Sequence, residues 1–220
     1  MQDPTPKQIV GSPLQDKDRN RRRELVRIAY RHIADKGFEG LRVREVAAEA
    51  RINNATLHYY FPTKEALIQG VVNYLMQEFS TRRTPQPGSN PVTPLEELHL
   101  EFEDLRYHLR EMPDMFIVLT ELSVRSRRDP TIAQLLERLD AGWRGYLIST
   151  IERGIKEGVF RPDIDVVAAA MAIMAQLKSI GYQVMGKTDD AQLDRLITQL
   201  AAQTEHWLTV EPPANRQRSL

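Results

Sequence analysis

The chain has no cysteine among its 220 residues. That absence excludes disulfides, thiol nucleophiles and Cys-ligated zinc, and it suits a reducing cytosol. Uncharged apolar runs of the length a membrane span needs, about 18 residues, are also missing. The first residues carry Asp3, Lys7, Asp16, Lys17 and Asp18 among several prolines and have no apolar stretch, so they do not read as a signal peptide and a cytoplasmic protein is expected. No apolar alternation marks a strand, no internal repeat is visible, and neither a phosphate-cradling glycine loop nor a Ser or Thr beside an oriented His is recognisable. Net charge is absent too, with 30 Lys+Arg against 30 Asp+Glu.

What is present is a separation of that charge. Residues 1–83 hold 15 Lys+Arg against 10 Asp+Glu, a net of +5, and residues 84–220 hold 15 against 20, a net of −5. A basic half supplies the counterion-release contribution to DNA affinity, and an acidic half keeps the rest of the chain off the polyanion. The asymmetry gains meaning from a motif in the basic half. Val43, Val46, Ala47 and Ala50 recur at three- and four-residue spacing, which places them on one face of a short helix with Arg44, Glu45 and Glu49 turned to solvent. Arg51-Ile52 breaks the pattern, and Asn53 offers a side-chain oxygen to the free N–H groups of a second helix, Asn54 to Tyr60. Two short helices joined by a tight turn make a helix-turn-helix, whose second helix fits the DNA major groove. In that second helix Leu57 and Phe61 anchor the inner face. Asn54, Ala55, Thr56, His58, Tyr59 and Tyr60 point outward or sideways, with groups that match adenine edges, thymine methyls and phosphate oxygens.

The run from Ala47 to Leu67 resembles the DNA-binding domain of the tetracycline-repressor (TetR) family, whose signature reads Thr-Leu-Tyr-x-(His/Tyr)-Phe-x-x-Lys-x-x-Leu. Thr56, Leu57, Tyr60, Phe61, Lys64 and Leu67 fit it, and Gly37-Phe38 fits the family's corner upstream. Three positions depart: His58 stands where Tyr is usual, Arg51 where the turn usually has Gly, and Arg42 where Thr is common. The resemblance covers residues 21–70. It implies a dimer formed through the last two long helices, and a C-terminal domain whose small-molecule ligand changes the spacing of the two DNA-binding domains.

Around this motif the chain reads as all-α, with about nine helices. Residues 1–17 are expected to be a disordered arm, followed by the basic cluster Arg21-Arg22-Arg23 and a helix to Lys36 that Gly37 ends. His32 falls in that helix's apolar stripe and reads as a packed core residue. Thr63 caps a connecting helix out to about Arg82, completing a DNA-binding domain at 18–83; Lys64 in its first turn opposes the helix dipole, which suggests a phosphate contact. Residues 84–92 form a Pro- and Gly-bearing linker. An effector-binding and dimerisation domain follows at 93–210, opened by the capping box Thr93-Pro94-Leu95-Glu96, and residues 211–220 are a polar tail. Within it lie helices from Met115 to Ser126 and from Pro130 to Ile155, a segment from Val166 to Met185 that is apolar nearly all round, and a last helix with a clean stripe from Leu193 to Leu208.

The DNA-contacting candidates are Arg22, Arg42, Arg44, Asn53, Asn54, Ala55, Thr56, His58, Tyr59, Tyr60 and Lys64. Ala168, Ala169, Ala170, Ala172 and Ala175, with the last helix, are candidates for a four-helix dimer interface, because small side chains allow close approach. The effector candidates are Phe102, Tyr107, His108, Met112, Phe116, Trp143, Tyr146, Leu147, Met171, Met174, Gln176, Lys178 and Tyr182. Lys178 either meets an acidic ligand or extends its stem to water. The partners expected are a palindromic duplex, a small hydrophobic or amphipathic effector and a second copy of the chain; no membrane, metal or cofactor is expected. A ligand-independent architectural DNA binder is the alternative. An all-α enzyme, using His99 with Glu103 or neighbouring carboxylates, is disfavoured because no second cluster completes a site.

Overall fold

The computed structural model describes residues 13–83, 92–183 and 189–209. Among them are nine α-helices and no strand. The linker at 84–92, save for Val92, and the polar tail lie outside the described residues, as does the Val184-Met185 end of the expected apolar segment. The chain divides into two compact units, Met1–Tyr74 and Leu75–Leu220, and the division falls inside the fourth helix. No helix among the described residues is long and apolar enough to cross a membrane.

In the first unit α1 (Pro13–Gly40) starts earlier than the sequence reading allows. Residues 13–17, read there as part of a disordered arm, are helical. Proline is favoured at the first position of a helix, where its fixed φ already fits, so the helix can start here despite the lack of apolar period. At the other end Gly37 takes φ 70° and ψ 175°, a conformation that breaks the helix and turns Phe38 and Leu41 into the core. Leu25, Ile28, Ala29 and Ile33 of α1 bury against Val46 and Ala47 of α2 (Val43–Glu49), Leu57 of α3 (Asn54–Tyr60) and Leu67 and Val71 of α4 (Lys64–Arg83). Each such large side chain contributes about 1.5–3 kcal/mol. His32 is buried, as the stripe implies, and its Nε2–H donates to Glu49 at 2.9 Å, with Arg31 reaching the same carboxylate at 2.6 Å.

The second unit is built from α5 (Pro94–Glu111), α6 (Asp114–Ser126), α7 (Pro130–Lys156), α8 (Val166–Gln183) and α9 (Asp190–Thr209). Thr93 and Glu96 form the expected reciprocal capping box of α5, and Asp129 caps α7 through the N–H groups of Thr131 and Ile132. Leu98, Phe102, Leu147, Ile151, Ile173, Leu177 and Ile197 share one core. Ion pairs clamp the outside: Arg106 and Arg110 of α5 both hold Asp194 of α9, and Glu97 accepts from Thr150 and Arg153 of α7 at 2.7 Å each. His99, instead of pairing with Glu103, meets Glu205 of α9 at 2.8 Å. Near the end of α7 a Cβ at Gly154 would stand 2.1 Å from the Phe160 ring, so the glycine is the seat on which Phe160 packs.

Two stability predictions follow from these contacts. Gly154→Ala gains helix propensity worth about 1 kcal/mol but forces Phe160 off its seat, and overpacking of this kind costs about 1–3 kcal/mol. Denaturant unfolding should therefore show no gain and a net loss of up to about 2 kcal/mol. In the first unit the His32 hydrogen bond, and then Arg31, hold Glu49 below the ordinary glutamate range. A carboxyl with a depressed folded-state pKa stabilises above its unfolded value and loses that contribution as pH falls through the folded one. The protection factors of the α1 amides, which remove the intrinsic pH dependence of exchange, should thus fall on acidification through the glutamate range, and Glu49→Gln should flatten that dependence.

Candidate DNA-binding surface and effector cavity

The turn between α2 and α3 is made by Arg51, whose φ of 55° lies in the left-handed region. Glycine enters that region without strain, and arginine at a single position can be held there by the flanking helices. Asn53 then caps α3 by accepting the Thr56 N–H at 2.7 Å, as its position suggests. Leu57 and Phe61 are fully buried and fix the inner face. The opposite face is what the helix offers to a partner: Asn54, Ala55, His58 and Tyr59 are exposed, Tyr59 to 74%.

The remaining DNA candidates divide into outward and inward groups. Arg42 and Arg44 are exposed beside α2, with Arg42 3.9 Å from Glu45. Thr56 is half-buried. Tyr60 turns sideways: its hydroxyl donates to Asp18 at 3.0 Å, and partial desolvation followed by that carboxylate holds the phenol above its ordinary pKa, so it remains a neutral donor. His58 Nδ1–H donates to the Pro62 carbonyl at 3.1 Å, leaving Nε2 facing outward. Arg22 does not simply trail toward solvent. It donates to the Tyr60 carbonyl at 2.9 Å and lies 4.4 Å from the Phe61 ring centroid, bracing the C-terminal end of α3. Lys64 likewise has an internal use, since its ammonium reaches the Phe38 carbonyl at 3.4 Å and sits 4.9 Å from the Phe38 ring centroid. That contact explains a cation at a dipole-disfavoured position without a phosphate.

In the second unit a cavity of about 650 Å³ opens among α5, α6, α7, α8 and the end of α4. Six of the thirteen effector candidates line it: His108, Phe116, Trp143, Tyr146, Lys178 and Tyr182. The other seven do not. Phe102, Leu147 and Met174 belong to the solid core, Tyr107 and Met171 point to solvent, Met112 ends α5, and Gln176 accepts from Thr204 of α9 at 3.1 Å. Aromatic or Met character alone does not tell which helical face a residue occupies. Lys178 is held by Asp140 at 2.6 Å, so it is not a bare cation awaiting an acidic ligand.

The cavity also takes residues the sequence reading did not choose. Glu101 and Asp104 of α5 line it, as do Met76 and Phe79 of α4, Thr120 and Ser123 of α6, and Gly181 of α8. A Cβ on Gly181 would stand 2.4 Å from Phe116, so the ring lies directly on the α8 backbone. Glu101 is 4% exposed, and its carboxylate accepts the Trp143 indole N–H at 2.6 Å. The signal that would have found this wall is the spacing of Glu101, Asp104, Leu105 and His108, which puts polar groups beside the buried stripe of α5.

Comparison with known proteins gives the family of each unit. Residues 25–71 match the family model of bacterial regulatory proteins of the tetR family, and residues 106–209 match that of the BetI-type transcriptional repressor C-terminal domain. The chain is 27% identical over 152 residues to the HTH-type transcriptional repressor KstR2 of Mycobacterium tuberculosis, covering 67% of this chain and 72% of that protein. It is 27% identical over 166 residues to the repressor NicS of Pseudomonas putida, covering 74% of this chain and 76% of that one. A transcriptional regulator of Saccharomonospora viridis, solved in complex with choline, superposes with a TM-score of 0.74 at 25% identity over 88% of this chain and 100% of its own. With its helix-turn-helix built on Asn53, Leu57 and Phe61 and its separate C-terminal helical unit, the chain belongs to the TetR family of DNA-binding transcriptional regulators.

Proposed function

We propose that this chain is a cytoplasmic, homodimeric repressor that holds a palindromic operator with two copies of α3 and is released when a small hydrophobic or amphipathic effector fills the cavity of the second unit. The observation that carries the reading is the face of α3, where Asn54, Ala55 and the exposed Tyr59 stand opposite a fully buried Leu57 and Phe61. Arg42 and Arg44 supply phosphate contacts next to it. Arg22 and Tyr60 act chiefly by positioning the helix, and Asn53 by capping it.

A seven-residue helix reads only a few base pairs, so selectivity calls for two copies about one turn of DNA apart. The surface available for pairing runs along α8 and α9. Ala168, Met171, Ala175 and Tyr182 are exposed on α8, and Leu196 and Trp207 on α9. Ala169 and Ala170 are completely buried within the subunit and drop out of the proposed interface, while Ala172 is half-buried. Effector release requires only that the ligand prefer the spacing of the two reading helices that does not fit DNA. A coupling of about 1–3 kcal/mol weakens binding roughly 5–150-fold. Met76 and Phe79 on the cavity wall belong to α4, which three residues separate from α3, so the same helix that meets the ligand leads back to the reading helix.

Selection of random duplexes by the purified protein should recover a palindrome with half-sites about one helical turn apart. Thr56→Ala and Tyr59→Ala, folded by circular dichroism, should each lose about 5–150-fold in affinity for it, the range of about 1–3 kcal/mol per specific contact. Full affinity in both variants would sink the proposed reading face. A compound screen that includes choline, the ligand of the Saccharomonospora viridis regulator, should find a molecule that weakens operator binding; a weakly selective site with no such compound would favour the architectural reading.

The dimer is tested separately. Sedimentation at micromolar concentration should give a dimer, and Met171→Glu with Trp207→Glu should convert it to monomer, because two carboxylates would be buried against their own copies. Wild-type monomer at that concentration would remove the dimer.

A further inference from the structure

We propose that Asp18 is a specificity residue of the DNA-binding surface: its carboxylate positions the Tyr60 hydroxyl, and through that ring Tyr59, while its charge weakens binding to duplex of any sequence. This rests on the reading of α3 as the helix that enters the major groove, and adds to it a residue outside the helix-turn-helix.

Asp18 stands on α1 with a charge of the wrong sign for its surroundings. Residues 1–83 hold 15 Lys+Arg against 10 Asp+Glu, yet the side chain fastened to the end of α3 is an acid. The helix does not require it, because Pro13 opens α1 and Asp18 lies in the second turn, beyond the reach of the helix dipole. No basic group among the described residues forms an ion pair with it. Arg21 goes to Glu24 at 2.7 Å, and Arg22 goes to the Tyr60 carbonyl at 2.9 Å with its guanidinium over Phe61. Lys17 and Arg19 flank Asp18 in sequence, positions that do not face it around a helix.

What Asp18 holds is the Tyr60 hydroxyl, which donates to it at 3.0 Å. The Tyr60 ring in turn meets the Tyr59 ring edge to face, with centroids 5.1 Å apart and planes at 83°. Tyr59 is 74% exposed, and among the described residues Tyr60 is the one ring, ion or hydrogen-bond partner of its side chain. An exposed side chain of the reading face thus takes its orientation from a neighbour that Asp18 fixes. Ordering a side chain before binding spares part of the entropy that binding would otherwise cost. That benefit reaches only a duplex whose bases Tyr59 fits.

The charge acts on every duplex. A helix of 7 residues spans about 10 Å, so a carboxylate fastened to one end of α3 lies within about a Debye length of the phosphates that wall a groove about 12 Å wide. Non-specific binding is almost wholly electrostatic and loses affinity to such a charge with nothing in return. Operator binding meets the same repulsion and recovers it through the ordered Tyr59. A neutral amide would also accept from Tyr60, which makes the two roles separable: Asp18→Asn removes the charge and keeps the acceptor, and Asp18→Ala removes both.

The test is fluorescence anisotropy of the full-length chain on the selected operator and on a scrambled duplex of the same length, at about 50 and about 200 mM salt. Asp18→Asn is expected to bind the scrambled duplex at least about threefold tighter at the lower salt, with a smaller gain at the higher one, and to keep the ratio of operator to scrambled affinity. Asp18→Ala is expected to show the same gain on the scrambled duplex but to lose about threefold or more of that ratio, the size of one side-chain hydrogen bond. Tyr60→Phe is expected to lose the ratio by a similar factor, and Asp18→Ala added to it to lose no more. Unchanged scrambled-duplex affinity in Asp18→Asn overturns the charge role. Equal ratios in Asp18→Ala and Asp18→Asn overturn the positioning role, as does a double variant whose loss is the sum of the single ones. An operator affinity that rises further in Asp18→Ala than in Asp18→Asn means that a freed Tyr60 finds a phosphate, and overturns it too. Should Asp18→Ala fail to fold by circular dichroism, Asp18→Asn decides the charge role and Tyr60→Phe the positioning role. The reading of α3 fails separately: full operator affinity in Thr56→Ala and Tyr59→Ala removes it and this proposal together, whereas losses there with unchanged Asp18 variants remove the role of Asp18 alone.

Discussion

A helix of seven residues does not hold itself together in water, because nucleating the first turn fixes several dihedrals for a single hydrogen bond. Every requirement of α3 must therefore be met from outside it. Leu57 and Phe61 are buried to nothing, Asn53 closes the N-terminal turn, and Arg22 holds the Tyr60 carbonyl at the other end while its guanidinium lies over Phe61. Thr63 then restarts the chain as α4 by accepting the Ala66 N–H at 3.0 Å. The reading face is rigid because its back is fully committed. This is why side chains on the exposed side can be spent on a partner without endangering the fold.

The two units solve different problems with the same material. The first packs to completion, leaving a solid core under a polar face. In the second, clamps on the outside, between Arg106, Arg110 and Asp194 and between Glu97, Thr150 and Arg153, hold the helices while a cavity remains among α5, α6, α7 and α8. A cavity of this size costs stability, since its lining forgoes the dispersion contacts that a filled core would make. A ligand that fills it recovers those contacts, and the free energy recovered is what can be coupled to DNA release.

Helix boundaries were largely legible in the sequence because they rest on local chemistry: the Thr93–Glu96 box, Pro130 after Asp129, Asn53, Thr63 and Gly37 each act within a few residues of themselves. The inner and outer faces of α3 were legible for the same reason, through the four-residue spacing of Leu57 and Phe61. Tertiary partnerships were not. Nothing in the local pattern shows that Arg22 meets Tyr60 across 38 residues, or that Lys64 turns back to Phe38. Both read as cations reaching for DNA, and both are fastened to backbone. The start of α1 was missed because the preference of proline for the first position of a helix acts without any apolar period.

The effector cavity shows the same limit from the other direction. Aromatic and Met residues were the natural candidates, yet Met171 and Tyr107 face solvent while Phe102 and Met174 fill the core. A cavity is a property of which faces fail to meet, and composition along one helix does not report that. A more informative signal was a residue that looked out of place: Glu101 next to a buried stripe of α5, at a spacing that turns it inward. Burying a carboxylate is unfavourable unless something compensates, and the Trp143 N–H is one of the groups that hold this one. The apolar lining accepts any greasy molecule, so it is the polar groups held in place on the wall that can discriminate among them.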